Sequence, residues 1–453
     1  MRLDEYLETV SEQIRYTKIR GTVTDELKAH ILDQAEGYEA CGAFPDEALE
    51  RAVREMGDPV ETGVALDRIH RLRMNWGIVI TIAILSILSI GVYYAANVIS
   101  SDVYLWQRQA MFVLIGFVLM LIVYRLDYSI LAKYQWTPAV LFLFVIIVGW
   151  LFWGYPINGS SRWIRFGSLW FSVPEAMLLY IPLFGAALYS FRGDRYNVFL
   201  KVTPLILIPT CFVWITPTLS NAMILFISLF CLFMFAVWKD WYQVSKKVVI
   251  GISSGIVLFT PLALIGYYYF FGEPYQAERI RAFFTQSGDA HYITGMTKAM
   301  RESSVLLGSS NKSIEWFVNG PTTDFLTDYI LVAMCSIYGT LLTIAVIAGL
   351  VLIIMKVFQI SITQKNQLGM IVGIGCGLAF LIKTVISILI NLQMIPYISI
   401  SMPFLSYGGS GTIVSYILLG LVLSISRYKN ILPNKNEVSP KRRLRLKLTW
   451  ETR

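Results

Sequence analysis

Asn319-Gly320-Pro321-Thr322-Thr323-Asp324-Phe325-Leu326-Thr327-Asp328-Tyr329 closes a polar stretch, residues 272–328, and passes directly into an apolar run. No other polar interruption of this length occurs within the membrane-like part of the chain. Long loops inside compact architectures tend to be functional, and a carboxylate at the mouth of a membrane helix is costly unless it has a task. Asp328 is therefore the candidate centre, and the remaining sequence reads as its scaffold.

The 453 residues are 56% hydrophobic, 15% charged and 14% aromatic, a composition that excludes an ordinary soluble protein. The expected fold class is all-α, a polytopic membrane protein. A net charge of +8 raises nucleic acid as a partner, but the basic residues gather beside apolar runs and in Lys441-Arg442-Arg443-Leu444-Arg445-Leu446-Lys447. Orientation and contact with anionic membrane lipids explain that placement, and no nucleic acid is expected. Cys41, Cys211, Cys231, Cys335 and Cys376 are odd in number and far apart, with neither a disulfide framework nor metal-ligand spacing. His30, His70 and His291 share no motif, so no zinc or haem site is expected.

Residues 1–74 are charged and patterned for helices, unlike a signal peptide. Leu3, Tyr6, Leu7, Val10 and Ile14 recur at helical spacing, as do Leu27, Ile31, Ala35 and Tyr38 after a Thr24 cap. A third helix is expected from Pro45 to Gly57, and a fourth begins with Asp58 as N-cap and Pro59 in the first turn. These four short helices read as a small cytoplasmic prefix domain. Glu55-Met56-Gly57-Asp58-Pro59 and Leu66-Asp67-Arg68-Ile69-His70 resemble the helical prefix of some Gram-positive permeases.

Ten transmembrane helices are expected within residues 75–430: 76–99, 108–124, 136–153, 174–191, 198–215, 220–238, 247–270, 329–355, 368–394 and 404–426. A basic cytoplasmic tail, 431–453, follows. Cations cluster before the first span (Arg68, Arg71, Arg73) and in every second connection thereafter, which places both termini in the cytoplasm. The same parity leaves Arg108, Arg162, Arg165, Arg279, Arg281 and Lys312 on the outer side with Asp328. A single such cation is explained by snorkelling; six together favour an anionic ligand, and phosphate best matches guanidinium geometry.

Two outer-face motifs carry more identity. Asn158-Gly159-Ser160-Ser161-Arg162-Trp163-Ile164-Arg165-Phe166-Gly167 is a turn followed by alternating aromatic and basic residues, which also suits an interfacial amphipathic segment. Pro403-Phe404-Leu405-Ser406-Tyr407-Gly408-Gly409-Ser410-Gly411 precedes the last span, and its glycines permit a helix break or close helix packing.

With these motifs, residues 76–430 resemble the SEDS family (shape, elongation, division and sporulation), which includes FtsW, RodA and SpoVE. Family members carry segments similar to Asn158–Gly167 and Pro403–Ser410; further matches are Arg108-Gln109, Leu126-Asp127-Tyr128, Glu175, Arg279, and Asn391 with Pro396. The family's catalytic aspartate lies in a T-D-F motif, with a glycine eleven positions later. Thr323-Asp324-Phe325 is the closer local match, but eleven positions beyond Asp324 is Cys335, whereas Asp328 is followed at that distance by Gly339. Register selects Asp328. The chain departs from the pattern at Pro217-Thr218-Leu219-Ser220, at Leu178 in place of a lysine, at Ser336 and Ile337 in place of paired glutamates, in a reduced glycine-rich stretch Leu307-Gly308-Ser309-Ser310, and at Lys383 in place of a glutamine. A lysine deep in a membrane helix is expensive, so Lys383 is expected either to pair with a carboxylate or to line a polar cavity.

The resemblance implies a peptidoglycan glycosyltransferase that polymerises lipid II at the outer face of the bacterial cytoplasmic membrane, in division, elongation or sporulation. It implies Asp328 as catalytic base and a partner, a class B penicillin-binding protein. Implied substrate-binding residues are Arg108, Gln109, Arg162, Trp163, Arg165, Glu175, Arg279, Lys383, Asn391, Ser406, Tyr407, Gly408, Gly409 and Ser410. A divalent cation would assist a leaving pyrophosphate, but no carboxylate cluster commits to one. Two other readings fit the same residues, a non-catalytic scaffold for a cell-wall synthase and a flippase for a lipid-linked precursor.

Overall fold

In the computed structural model the described residues are 2–70, 74–99, 105–157, 160–167, 169–216, 218–247 and 289–428, with isolated positions between 249 and 283. The expected seventh span, Arg279, Arg281 and the basic tail therefore lie largely or wholly outside the described residues. The chain divides into two compact units, the first built on residues 1–74 and the second on residues 75–425.

The first unit holds α1 (Leu3–Gln13), α2 (Thr17–Ala40), α3 (Pro45–Glu55) and α4 (Pro59–His70). Tyr6, Leu7 and Val10 meet Ile31, Ala35, Ala48, Ala52 and Val53 in a thin core. Asp58 caps α4, accepting the Glu61 N–H at 3.0 Å, as the sequence predicts. Thr24, expected to cap a helix, lies inside α2; its hydroxyl donates back to the carbonyls of Arg20 and Gly21 at 2.9 Å. Such back-bonding satisfies a threonine in a helix interior, and the buried Ile19 and Val23 extend the apolar stripe upstream.

The second unit is helical: α5 (Trp76–Ile99), α6 (Trp106–Arg125), the single turn α7 (Ile130–Lys133), α8 (Thr137–Trp153), α9 (Val173–Ala176) continuing through a 3-10 turn into α10 (Tyr180–Ser190), α11 (Asn197–Ile215) and α12 (Leu219–Trp238). Beyond the undescribed stretch come α13 (Asp289–Glu302), α14 (Asn311–Asn319), α15 (Thr322–Thr327), α16 (Ile330–Tyr338), α17 (Thr340–Ile362), α18 (Gln367–Asn391) and α19 (Gly409–Arg427). Among the described residues, eight helical segments are long and apolar enough to cross a membrane, and α8 is a shorter apolar helix. The protein is a multi-pass membrane protein. Helix α18 occupies the middle of the unit, with glycines where neighbours come closest. A Cβ on Gly185 would lie 3.4 Å from the Ile371 carbonyl oxygen, and one on Gly375 3.3 Å from both Ile181 and Leu232.

Two features depart from the expected architecture. The eighth span, predicted as one helix over 329–355, is broken at Gly339, which ends α16 and opens α17 at φ 93°. The gap admits backbone from the polar loop: Thr340 and Leu341 N–H donate to the Val305 and Leu306 carbonyls, and Gly308 N–H to Tyr338, each at 3.0 Å. These bonds occupy two of the N–H groups that a helix start leaves free. A side chain at 339 would be excluded, because its Cβ would lie 2.7 Å from the Leu306 oxygen.

The second departure is a three-stranded antiparallel meander, β1 (Gly154–Ile157), β2 (Ser160–Phe166) and β3 (Leu169–Ser172), in an otherwise helical fold. Trp163 pairs with Tyr155 and Ser172, and Ile164 with Gly154 and Phe171. The aromatic and basic alternation read as an interfacial segment is the period-two pattern of a strand.

Candidate active site

Asp328 sits in the junction between two short helices. It caps α15, donating its N–H to the Asp324 carbonyl at 3.0 Å, and Tyr329 at φ −106°, ψ 34° turns the chain before α16 begins. The turn is held from below by Phe325 and Leu326, both fully buried. Asn391, at the end of α18, holds it from the side. Its amide nitrogen donates to the Asp328 carbonyl at 3.0 Å and to Ser387 at 2.8 Å, while its oxygen accepts the Leu331 and Val332 N–H groups at 3.1 and 3.2 Å. One side chain thus caps α16 and fixes the backbone of Asp328.

Asp328 is 7% exposed. Tyr397 donates its hydroxyl to Oδ2 at 2.5 Å, and the nearby Ser399 hydroxyl also favours the ionised carboxyl. The Tyr397 ring stacks on Tyr329 at 5.5 Å and 16°. Burial raises the carboxyl above the usual carboxylate range; the two hydroxyls offset part of that rise, while Asp324 adds repulsion and Arg162 attraction. Burial thus makes the carboxylate more basic, and the hydroxyl donors work against that rise.

The glycine-rich motif before α19 supports the same turn. Ser406 donates to the Thr327 carbonyl at 2.5 Å and accepts the Met402 N–H at 2.7 Å, and Tyr407 N–H donates to Leu326 at 3.1 Å. From α5, Tyr93 donates its hydroxyl to Leu326 and Leu405, and Ser89 to Leu405. Gly409 packs where a Cβ would lie 2.7 Å from the Phe112 ring, and Ser410 accepts the Ser172 N–H at 2.9 Å. Gly408 adopts φ 153° in the turn leading into α19. Ser406 and Tyr407, expected to bind substrate, here hold the backbone that carries Asp328.

The expected cations are placed in different ways. Arg162 is half-buried, makes no hydrogen bond or ion pair with the described residues, and bears electrostatically on Asp328. Strand alternation puts Arg165 on the opposite face, with its guanidinium over the rings of Tyr155 and Trp170 at 5.1 and 5.0 Å. Trp163 shares that face. Arg108 is exposed on the first turn of α6, and the neighbouring Gln109 is buried with a 3.4 Å bond to Thr412. Arg279 lies outside the described residues. Lys383 is paired: its Nζ lies 2.7 and 3.0 Å from the two Glu175 oxygens and 3.0 Å from the Ser401 hydroxyl. Of the two expectations for Lys383, the carboxylate partner is what the structure has. Among the described residues no group of three or more His, Cys, Asp or Glu side chains is arranged to hold a metal.

Tyr397, Ser399 and Ser401 were not among the residues singled out from sequence, nor was Arg301, whose guanidinium reaches the Asn391 carbonyl at 3.5 Å. A signal existed for the first three. Tyr397-Ile398-Ser399-Ile400-Ser401 alternates polar and apolar, which in extended chain puts the polar groups on one side.

The FtsW/RodA/SpoVE family model, described as cell cycle protein, matches residues 70–431. The chain is 23% identical over 380 residues to the probable peptidoglycan glycosyltransferase FtsW of Trichlorobacter lovleyi, covering 79% of this chain and 95% of that protein. It is 25% identical over 349 residues to the peptidoglycan glycosyltransferase MrdB of Helicobacter pylori, covering 74% and 86%. Among solved structures, a chain from a study of polymerisation and crosslinking by a peptidoglycan synthase complex superposes with a TM-score of 0.63 at 19% identity, covering 79% of this chain and 99% of that one. The rod shape determining protein RodA of Thermus thermophilus gives 0.57 at 17%, covering 79% and 98%. These structural likenesses concern the fold; the family match spans most of the sequence and carries both motifs and the Asp328 junction. This chain belongs to the FtsW/RodA/SpoVE family of cell cycle proteins.

Proposed function

We propose that the protein is a peptidoglycan glycosyltransferase that polymerises lipid II into glycan strands at the outer face of the bacterial cytoplasmic membrane, with both termini in the cytoplasm. The observation that carries this reading is Asp328, a buried carboxylate that takes a hydroxyl donor from Tyr397 and has Arg162, a guanidinium without an ion pair among the described residues, in electrostatic reach. In the reaction the acceptor sugar's 4-hydroxyl attacks the anomeric carbon of the donor. A new C–O bond forms, the bond from that carbon to the lipid pyrophosphate breaks, and the hydroxyl proton passes to Asp328. Arg162, with Arg108 and Arg279 as further candidates, would balance charge on the departing pyrophosphate.

A class B penicillin-binding protein is the proposed partner, since new strands need crosslinking and the superposable synthase complex couples polymerisation with crosslinking. The test is strand synthesis from lipid II by purified protein, alone and with such a partner. Strands that disappear with Asp328→Asn are the expected result. No strands under any condition would reject the enzyme reading and leave the scaffold and flippase readings, which do not require the carboxylate.

A further inference from the structure

Lys383 and Glu175 are unlike ligand-binding residues once their bonds are counted. An ammonium has three donors, and all three are engaged, with Glu175 Oε1, Glu175 Oε2 and Ser401 Oγ. Ser401 closes the cluster by donating to Glu175 Oε1 at 2.8 Å. Gly411 packs over it, where a Cβ would lie 3.1 Å from Ser401 Oγ and 3.4 Å from the Glu175 carboxylate. The Lys383 side chain is 3% exposed, so a substrate group would have to break the cluster to reach it.

The cluster grips one end of a short segment without helix or strand, residues 396–402, whose other end carries Tyr397 and Ser399. Ile400 is buried, and Ser406 bonds the Met402 N–H just downstream. We propose that the Glu175–Lys383–Ser401 cluster is a positioning device for Asp328, anchoring the segment so that the Tyr397 hydroxyl stays on the carboxylate. The proposal rests on the reading of Asp328 as the base. Glu175, Lys383 and Ser401 are positioning residues that act through Tyr397. The groups bearing on Asp328 are Asp324 from α15, Arg162 from β2, and Tyr397 and Ser399 from the segment, with Tyr329 stacked on Tyr397. A change at Ser401 alters none of them chemically.

The experiment is a carbon-13 titration of Asp328 in carboxyl-labelled full-length protein in nanodiscs, with the signal assigned by its loss in Asp328→Asn. Tyr397→Phe removes a donor that stabilises the anion, so the Asp328 midpoint is expected to rise by about one pH unit. Ser401→Ala is expected to raise it in the same direction, Ser401→Thr to restore it, and the double variant to rise no further than Tyr397→Phe alone. Ser401→Cys, a weaker donor, is expected to give a smaller rise and serves if the alanine variant does not fold. A Ser401→Ala midpoint equal to that of the parent, or shifts that add in the double variant, would overturn the proposal. The titration does not depend on turnover. Strand synthesis measured in parallel therefore reports separately on the enzyme reading.

Discussion

Glu175 and Asp328 are both carboxylates sunk into the membrane unit, and they are treated in opposite ways. Glu175 has an ammonium at 2.7 Å and a hydroxyl closing the cluster; Asp328 has hydroxyls and no ion pair with the described residues. The first arrangement neutralises a charge and fixes structure. In the second, the charge depends on protonation, so the group can exchange a proton at modest cost. Burial alone does not distinguish the two; the neighbour that supplies the counter-charge does.

The largest expected effect tests the chemical side. Asp328→Asn keeps volume while removing the base, and strand synthesis should fall by about 10² to 10⁴ with insertion and thermal stability retained. An active Asp328→Asn beside a dead Asp324→Asn would place the base one turn earlier. The architectural side comes next. Lys383→Met leaves Glu175, largely shielded from solvent, without its cation, and the unfolding free energy in nanodiscs should drop by about 2 to 4 kcal/mol. Lys383→Met with Glu175→Leu should recover much of that loss; if the double variant is as unstable as the single, the pair is not what holds the segment.

Smaller effects refine the contrast. Asp324→Asn removes a like charge, so the Asp328 midpoint should fall and synthesis should weaken only in part, within about tenfold. The acid limb of the pH–rate profile should lie above the ordinary carboxylate range, because a base with a raised pKa is protonated at higher pH and activity fails as pH falls through that value. The stability contribution has the opposite sense. With the folded pKa above the unfolded one, the neutral acid favours the fold at low pH, and ionisation costs stability as pH rises through the shifted value. An acid limb unchanged between parent and Asp324→Asn would show that the two carboxylates do not communicate.

Sequence reading reached the family and the membrane class, because apolar runs and fixed motif spacing are local quantities. It placed the Asp58 cap for the same reason. It did not see that Gly339 interrupts a helix, although glycine was the marker used for register, since the Val305–Gly308 backbone that fills the break is distant along the chain. Nor did it give Lys383 its partner. Glu175 lies in the first turn of another span, and the choice between a carboxylate and a polar cavity needed packing. The β-meander was hidden because Trp163, Ile164 and Arg165 suit a membrane interface as well as a strand. Tyr397 was passed over beside Pro396, where an irregular segment gives no periodic signal except its brief alternation.

The Glu175–Lys383 pair also bears on how divergence in such proteins should be counted. A position-by-position comparison scores Leu178 and Lys383 as two losses, one missing lysine and one displaced glutamine. In the structure the cation beside Glu175 comes from α18, so the absence of a lysine at 178 leaves no carboxylate unmatched at Glu175. Leu178→Lys alone would add a charge where the balance is already met, and Lys383→Gln alone would remove the one in use. Only the joint exchange keeps the sum, and a Leu178→Lys, Lys383→Gln double variant more stable than Lys383→Gln alone is the expected sign that the two sites can stand in for one another.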